Sequence, residues 1–456
     1  MKDLLAYAVQ RSRADHTEIR LERTWATSVA FRGSRLEIAT TGCETGGMVR
    51  CLNRGKGWGV VSFTGLDHLV AAVHRAHELS LAVSVYSPIR LAPIPVLVAD
   101  HLNDLDGDVR GIGLDQKRAY LERLNQDLLA TDRRLISTFA SYQDQVIERW
   151  VATSEGSLLF ERRPLVRLAA AAVAREESFL ERAFESWSTG GGWRSVQGAD
   201  HCFRTAGRRA IQLLGAGRAR SGVYPVVLDP RAFGALVHHA LGHLVEAPTV
   251  GDPPEGALLP GQRVGSELLI VGDDGSASSL PGSLPFDDEG APAQNTLLIQ
   301  HGVVVGRLHT RETAARNGER PTGNARAGSF RHPPQARLTN TYVANGRGTL
   351  EDLLRGIKHG LYGADAIGVE LKGGRFQLQV GHGQRIEDGQ LGEVVKPFTI
   401  SGGLMETLQR LDALAGDFRW NQLASSCGRA GAGRIPVAEG APHGRLDGVT
   451  VVGDPA

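Results

Sequence analysis

The chain has 456 residues, of which 41% are hydrophobic and 22% charged, an ordinary composition for a globular protein with room for two or three domains. Its formal net charge of +1 gives no overall attraction to nucleic acid or to an anionic membrane. Residues 1–20 mix charges among apolar positions, and no later window approaches the roughly 18 apolar residues of a membrane helix. We therefore expect neither a signal peptide nor a membrane span.

The cysteines are few and scattered. Cys43, Cys51, Cys202 and Cys427 form no C-x-x-C pair. This spacing argues against a disulfide framework and suits a reducing compartment. We expect a cytoplasmic protein in which a single cysteine can still serve as a metal ligand.

The N-terminal half predicts a mixed α+β fold. Residues 2–10 have helical apolar spacing, and residues 18–63 alternate apolar and polar side chains in short runs separated by turn signals, which is typical of antiparallel strands. The predicted strands are Glu18–Glu22, Ser28–Phe31, Arg35–Thr40, Gly47–Leu52 and Gly57–Ser62. Further along, the patterns predict helices at about 66–83, 115–130 and 199–214, strands up to about residue 174, and a turn or loop over 188–198.

A Gly/Arg segment without apolar periodicity, GAGRARSGVYP, follows the last of these helices and marks the predicted domain boundary. Residues 1–215 then form an N-terminal α+β domain with an antiparallel sheet. Residues 222–456, richer in Gly, Pro and Asp and in short strand patterns, form a mostly β, barrel-like C-terminal domain that carries one prominent helix.

That helix lies in the segment Tyr224–Glu246. The apolar run Tyr224–Leu228 predicts a buried strand. Asp229 and Pro230 then supply a helix cap and a proline at the first helical position, so a helix is expected to begin there.

The helix carries His238, His239 and His243. At about 100° per residue, His239 and His243 fall about 40° apart on one helical face. His238 and His243 fall about 140° apart and need a distorted or ending helix, and Gly242 makes a distortion easier. Catalytic zinc binds two or three neutral imidazoles or thiolates and keeps one position open. Either histidine pair is compatible with such a site, and ordinary hydrogen-bonded histidines are the alternative.

Ordered motifs in the second half resemble the TldD/PmbA family of metallopeptidases. HHALGHLVE stands where TldD-type members carry an H-E-x-x-x-H helix, and DDEGAP, PTGNARAGSF, RLTNTYV and SSCGRAGAG follow in the family's order. GGMVRCLNRGKGWGVVSF, near the N-terminus, is similar to the family's Gly-rich strand pair. The resemblance spans nearly the whole chain.

The resemblance implies a zinc site held by His238, His243 and Cys427. Two imidazoles and a thiolate leave a fourth position for a water molecule, whose pKa zinc lowers to about 7. This ligand set leans toward zinc over iron or manganese.

The chain departs from the family at the position directly after the first histidine. TldD-type members place there the glutamate taken as the general base, and this chain has His239. Three interpretations stay open: His239 accepts the proton, or it joins His243 as a metal ligand, or hydrolysis has been lost. Glu246 is a second candidate base, or a partner that orients an imidazole.

Polar side chains in the later motifs are candidates for substrate contact. The guanidinium groups of Arg326 and Arg337 could hold a peptide carboxylate or carbonyl. Asp288 could face substrate, the alternative being a solvated turn. Asn340 and Thr341 could offer a strand edge that pairs an extended peptide.

The implied function is that of a zinc-dependent hydrolase, a TldD-like metalloprotease that cleaves amide bonds in an unfolded peptide or a peptide-like biosynthetic intermediate. The resemblance also implies a heterodimer with a PmbA/TldE-type paralogue, or a homodimer, enclosing the site. The alternative is a catalytically silent subunit that acts as a binding or scaffold partner of an active paralogue. Because no basic stripe interleaved with aromatic residues appears, a nucleic-acid partner is not expected.

Overall fold

A computed structural model of the chain describes residues 1–85, 87–102, 107–248, 256–429 and 433–453. The helices are, in chain order, α1 (Lys2–Gln10), α2 (Leu69–Ala82), α3 (Leu114–Leu129), α4 (Trp193–Val196), α5 (His201–Leu214), α6 (Pro230–Leu236), α7 (Arg311–Asn317), α8 (Leu350–Leu354) and α9 (Leu404–Gln409). The strands are, in chain order, β1 (His16–Arg32), β2 (Arg35–Leu52), β3 (Trp58–Thr64), β4 (Val98–Leu102), β5 (Leu135–Thr153), β6 (Leu158–Glu176), β7 (Phe179–Thr189), β8 (Gly222–Leu228), β9 (Val271–Asp274), β10 (Asn295–Gln300), β11 (Val303–Val304), β12 (Ala325–Arg326), β13 (Gln335–Ala336), β14 (Asn340–Val343), β15 (His359–Lys372), β16 (Arg375–Glu387), β17 (Gln390–Val395), β18 (Phe398–Gly403), β19 (Leu411–Leu414), β20 (Arg419–Asn421), β21 (Ser426–Arg429), β22 (Gly433–Pro436), β23 (Ala438–Ala441) and β24 (Gly444–Val452). The predicted α+β class is confirmed.

The N-terminal half forms one twisted sheet in the order β3-β2-β1-β5-β6-β4, with β7 paired to β6. The four short strands predicted before residue 53 are two long ones, β1 and β2. β1 is paired along most of its length with β2 on one side and β5 on the other, so its backbone hydrogen bonds continue through the polar residues that look like a break in the sequence. Beyond it, the predicted turn over 188–198 holds the end of β7 and the short helix α4.

Helices cover this sheet with apolar side chains. Leu5 of α1 and Leu69 of α2 are completely buried in one hydrophobic cluster, and α3 and α5 contribute Leu121 and Phe203 to another. Across the described ranges, no helix is both long and apolar enough to cross a membrane.

The C-terminal half is mostly β, as expected. Five strands close a barrel in the order β15-β8-β24-β18-β16, because β15 also pairs with β16. A separate sheet has the order β11-β10-β9-β14-β23-β20. Helix α6 packs against barrel strand β15 and sheet strand β23, and its Phe233 and Leu236 are fully buried.

Helix α5 ends at Leu214 and strand β8 begins at Gly222. Large hydrophobic clusters lie on either side of this connection, and a small one joins Val151 and Leu159 to Phe286. The division into domains 1–215 and 222–456 stays a prediction.

Buried ion pairs also connect the two halves. Asp288 contacts Arg20, at 3.1 Å, and Arg149, and Glu289 lies 2.7 Å from Arg50. Asp288 and Glu289 are only 3% and 1% exposed, so the DDEGAP motif is not a solvated turn. The motif places carboxylates against arginines of the N-terminal sheet.

Candidate metal centre

The histidine segment changes its helical geometry where the side chains have to converge. Asp229 caps α6 by accepting a hydrogen bond from the Ala232 N–H at 2.7 Å, and Pro230 is the first helical residue, as predicted. After α6, residues Val237–Leu241 form a π-helical turn and Gly242–Val245 a 3₁₀ turn. A π turn bonds residue i to i+5 and so brings residues five apart onto one face.

This distortion places the rings of His238 and His243 with their centroids 5.3 Å apart. Gly242 has ordinary right-handed dihedral angles, φ −58° and ψ −41°, so the prediction that it eases the distortion by backbone freedom is wrong. Its role is steric, because a Cβ atom at this position would lie 2.9 Å from Cδ1 of Leu338. Glycine lets the packed Leu338 side chain approach the turn.

Nitrogen atoms of His238, His239 and His243 lie within 4.8 Å of one another. Cys427, on β21, brings its Sγ to 3.2 Å from Nε2 of His243. Cys427 is 3% exposed and pairs with Ile435 across the β21–β22 ribbon. Two separate parts of the chain therefore bring candidate ligand atoms together at His243.

His238 is completely buried and held in one tautomer. Its Nδ1 lies 2.9 Å from Oγ1 of Thr341, which itself donates to Asp273 at 3.2 Å and so accepts from the imidazole. Nε2 of His238 is buried and has no hydrogen-bond partner among the residues that the structure describes. Burial and the neighbouring histidines hold the pKa of His238 well below its usual value, so the ring is neutral and Nε2 keeps a free lone pair.

His243 and Cys427 each stabilise the charged form of the other. Nδ1 of His243 lies 3.1 Å from Glu246, whose carboxylate also accepts from the Leu338 N–H at 3.0 Å. Burial opposes a charge on His243, but Cys427 and Glu246 outweigh it and raise the pKa of His243 to about 10. Burial likewise opposes the thiolate, yet His243 and Arg337 lower the pKa of Cys427. The pair favours the thiolate form that metals bind.

Arg337 is fully buried and donates to both the carbonyl oxygen of Cys427, at 2.9 Å, and its Sγ, at 3.1 Å. It positions the cysteine. The donor set fits a zinc ion, since it offers an unpartnered buried imidazole nitrogen, a second imidazole and a stabilised thiolate. Thr341 and Glu246 orient the two imidazoles in the way that outer partners of metal ligands do.

His239 belongs to this cluster and also lines a cavity. Its ring borders a cavity of about 510 Å³, where its Nε2 lies 3.6 Å from Oε1 of Glu439. Burial and the charge of His243 lower the pKa of His239 to about 4, and burial raises the pKa of Glu439 to about 7. Glu439 was not among the residues predicted from the sequence, although a single acidic residue inside the otherwise apolar run 435–442 was a detectable signal.

The other residues singled out from the sequence have partners within the chain. Arg326 donates to the carbonyl oxygens of Leu338 and Pro436, and Asn340 to that of Asp274. Strand β14 pairs with β9 on one side and β23 on the other. Peptide addition at Asn340 and Thr341 does not fit this structure, because both edges of the strand are taken. Residues 430–432 of the SSCGRAGAG motif lie outside the described residues.

Comparison with known proteins agrees with the resemblance to the TldD/PmbA family of metallopeptidases. Models described as the PmbA/TldA metallopeptidase domain 1, central domain and C-terminal domain match residues 17–80, 107–214 and 221–453. A metalloprotease from Synechocystis is 35% identical over 449 residues, covering 98% of this chain and 96% of the relative. A zinc metalloprotease TldD homolog from Saccharolobus solfataricus is 28% identical, covering 96% and 97%.

The crystal structure of TldE from Thermococcus kodakarensis has the same fold, with a TM-score of 0.75 at 17% identity over 99% of each chain. Fold, histidine segment and relatives together define a metallopeptidase class. The chain belongs to the PmbA/TldD family of metallopeptidases.

Proposed function

We propose that this protein is a zinc-dependent hydrolase that cleaves amide bonds in an unfolded peptide or a peptide-like biosynthetic intermediate. Three observations support the proposal: the cluster of His238, His239 and His243, the contact between Cys427 and His243, and the buried, unpartnered Nε2 of His238. A neutral imidazole nitrogen without a partner is costly to bury unless it binds something. The name of the Saccharolobus relative, a zinc metalloprotease, supports zinc.

His238, His243 and Cys427 would hold the ion, and Glu246 orients His243. When bound, zinc supplies Lewis-acid chemistry, polarising a carbonyl and lowering the pKa of water. His239 borders the cavity beside these ligands and accepts the proton released on attack. The Glu439 carboxyl group, 3.6 Å from Nε2 of His239 and with its pKa raised to about 7 by burial, then takes the proton from the ring.

We also propose assembly with a PmbA/TldE-type paralogue, or with a second copy, that would enclose the cavity and admit only unfolded chains; the fold shared with TldE supports this. The replacement of the family's glutamate by His239 favours one alternative, a silent subunit that binds peptide for an active paralogue. Hydrolysis of an unstructured peptide that is lost in His243→Ala supports the enzyme. Peptide binding without turnover supports the alternative.

Metal content per chain tests the ligand set. We expect the wild type to contain stoichiometric zinc, His239→Ala to keep it, and Cys427→Ala to lose it. Cys202→Ala, which removes another buried thiol, serves as the matched control and should keep zinc. Loss of zinc in His239→Ala would make His239 a ligand, and a wild type without metal would overturn the hydrolase proposal.

A further inference from the structure

A second cavity, of about 270 Å³, lies between the N-terminal sheet and the β21–β22 ribbon. It combines residues from both halves of the chain. The arginines that line it are Arg149, Arg163, Arg167, Arg326 and Arg434. Its carboxylates are Glu22, Glu44 and Asp288.

Each of these carboxylates is already neutralised by an arginine. Glu22 lies 3.1 Å from Arg20. Glu44 pairs with Arg331 at the rim. Asp288 is shared between Arg20 and Arg149, as described above. All three carboxylates are therefore engaged in ion pairs with arginines other than Arg167, Arg326 and Arg434.

Three of the arginines have no ion pair among the described residues. Arg326 contacts only backbone carbonyls, and Arg434 donates to the hydroxyl and carbonyl of Ser426 at 3.0 Å. Arg167, on β6, has a buried Nε without a hydrogen-bond partner in the described part of the chain. Arg326 is buried, Arg167 is half-buried and Arg434 is exposed. Uncompensated positive charge at the two more buried arginines is unfavourable unless an anion neutralises it.

The surroundings of Arg326 and Arg167 also lower the pKa values of these two guanidinium groups. Burial and the nearby charge of Arg163 lower the pKa of Arg326 to about 9. Burial and the charge of Arg434 lower the pKa of Arg167. An anion between these side chains would relieve both effects.

The arginine cavity adjoins the candidate metal centre. Arg434 lines it and also the larger cavity that holds His239 and Glu439. Ile435, in its wall, is the strand partner of Cys427. A substrate extended along the β21–β22 ribbon can therefore reach both cavities at once.

We propose that this cavity binds a carboxylate of the peptide substrate through Arg167, Arg326 and Arg434. Planar guanidinium groups bind carboxylates in bidentate fashion and with charge-assisted hydrogen bonds. The carboxylate is either the C-terminus of the peptide or an acidic side chain, which share the same chemistry. The inference rests on the proposed function for the peptide nature of the ligand.

Equilibrium binding tests the proposal without turnover, so its failure is distinct from failure of the hydrolase proposal. Fluorescence anisotropy would compare three labelled unstructured peptides: one with a free C-terminal carboxylate, its C-terminal amide, and the amide carrying one internal glutamate. Mass spectrometry checks that each probe stays intact. We expect the full-length wild type to bind at least one acidic peptide about tenfold or more tightly than the amide, as for a charge-assisted hydrogen bond. Which acidic peptide is preferred identifies the source of the carboxylate.

The preference should disappear in Arg167→Gln and in Arg434→Gln, and Arg167→Lys should restore part of it. Arg175→Gln, an exposed position on the same strand β6, is the matched control and should keep the full preference. Equal binding of acid and amide by the wild type, no binding of any acidic peptide, or a preference unchanged in Arg167→Gln and Arg434→Gln would each overturn the proposal.

Discussion

His238 and His239 are adjacent in sequence but have different surroundings. The first is fully buried against Thr341, and the second borders a cavity beside Glu439. The two imidazoles are chemically alike, but His238 is a candidate metal ligand and His239 is a candidate proton acceptor. The side chain that faces each ring, Thr341 for His238 and Glu439 for His239, determines which role the imidazole can take.

Replacing each of the two carboxylates that face histidines by its amide should distinguish metal binding from proton transfer. Glu439→Gln keeps the shape of the side chain but cannot take up a proton from His239. We expect kcat for an unstructured peptide to fall about 100-fold with KM and zinc content unchanged. Glu246→Gln should instead weaken zinc binding about 10-fold or more, because Glu246 orients His243. Equal loss of zinc in both variants would contradict a role for Glu439 in proton transfer.

Asp229 should make stability depend on pH. Burial and the charge of Asp365 raise the pKa of Asp229 from 3.8 to about 7, so the folded chain keeps a proton that the unfolded chain releases. The contribution is complete below pH 3.8 and is lost as the pH rises through about 7. In Asp229→Asn, whose amide oxygen can still cap α6, the free energy of unfolding should fall less steeply over this range, by up to about 1.4 kcal/mol per pH unit.

Chemical denaturation at several pH values measures this slope. Asp115→Asn removes a carboxylate that is almost fully exposed and serves as the control. An unchanged slope in Asp229→Asn would show that the carboxyl group titrates alike in both states.

At the scale of the element, the beginning of α6 was predictable and its end was not. Asp229 and Pro230 act within one turn, and such local signals can be recognised in a sequence. The π turn over Val237–Leu241 depends on packing against segments that come about a hundred residues later, namely strands β14 and β15 and the Leu338 side chain beside Gly242. The sequence indicated that His238 and His243 need a distorted helix, but not which distortion.

Gly242→Ala tests the steric explanation. Its Cβ would crowd Cδ1 of Leu338, and overpacking of this kind costs about 1–3 kcal/mol. We expect weaker zinc binding, because the shift displaces His243 relative to His238. The double variant Gly242→Ala, Leu338→Val removes the crowded atoms and should recover most of the affinity measured by competition with a chelator. Without recovery, the glycine has another role.

At the scale of the whole molecule, the two halves meet through buried charge. Asp288 was predicted to face either substrate or solvent, and the structure places it between Arg20 and Arg149. The proximity of Glu439 to His239 has a similar long-range origin in the parallel pairing of β14 with β23. Neither contact could be predicted from one sequence, because each joins segments that are far apart along the chain.

Asp288→Asn should destabilise the entire protein. The substitution removes the negative charge that two buried guanidinium groups share, and breaking a buried ion pair costs about 3–5 kcal/mol. We expect about 3 kcal/mol in urea unfolding, since Arg20 and Arg149 each keep another carboxylate nearby. Glu78→Gln breaks the exposed pair with Arg75 and should cost less than about 1 kcal/mol. A similarly small loss in Asp288→Asn would show that the pair contributes little.

Cys427 and His243 are separated by 184 positions in the chain, yet their side chains touch. During synthesis the two histidines leave the ribosome long before the thiol that completes the candidate centre. A chain that stops before residue 427 has only an incomplete set of ligands. The order of the residues therefore delays assembly of the candidate centre until residue 427 has been made, and copies that stop earlier stay without it.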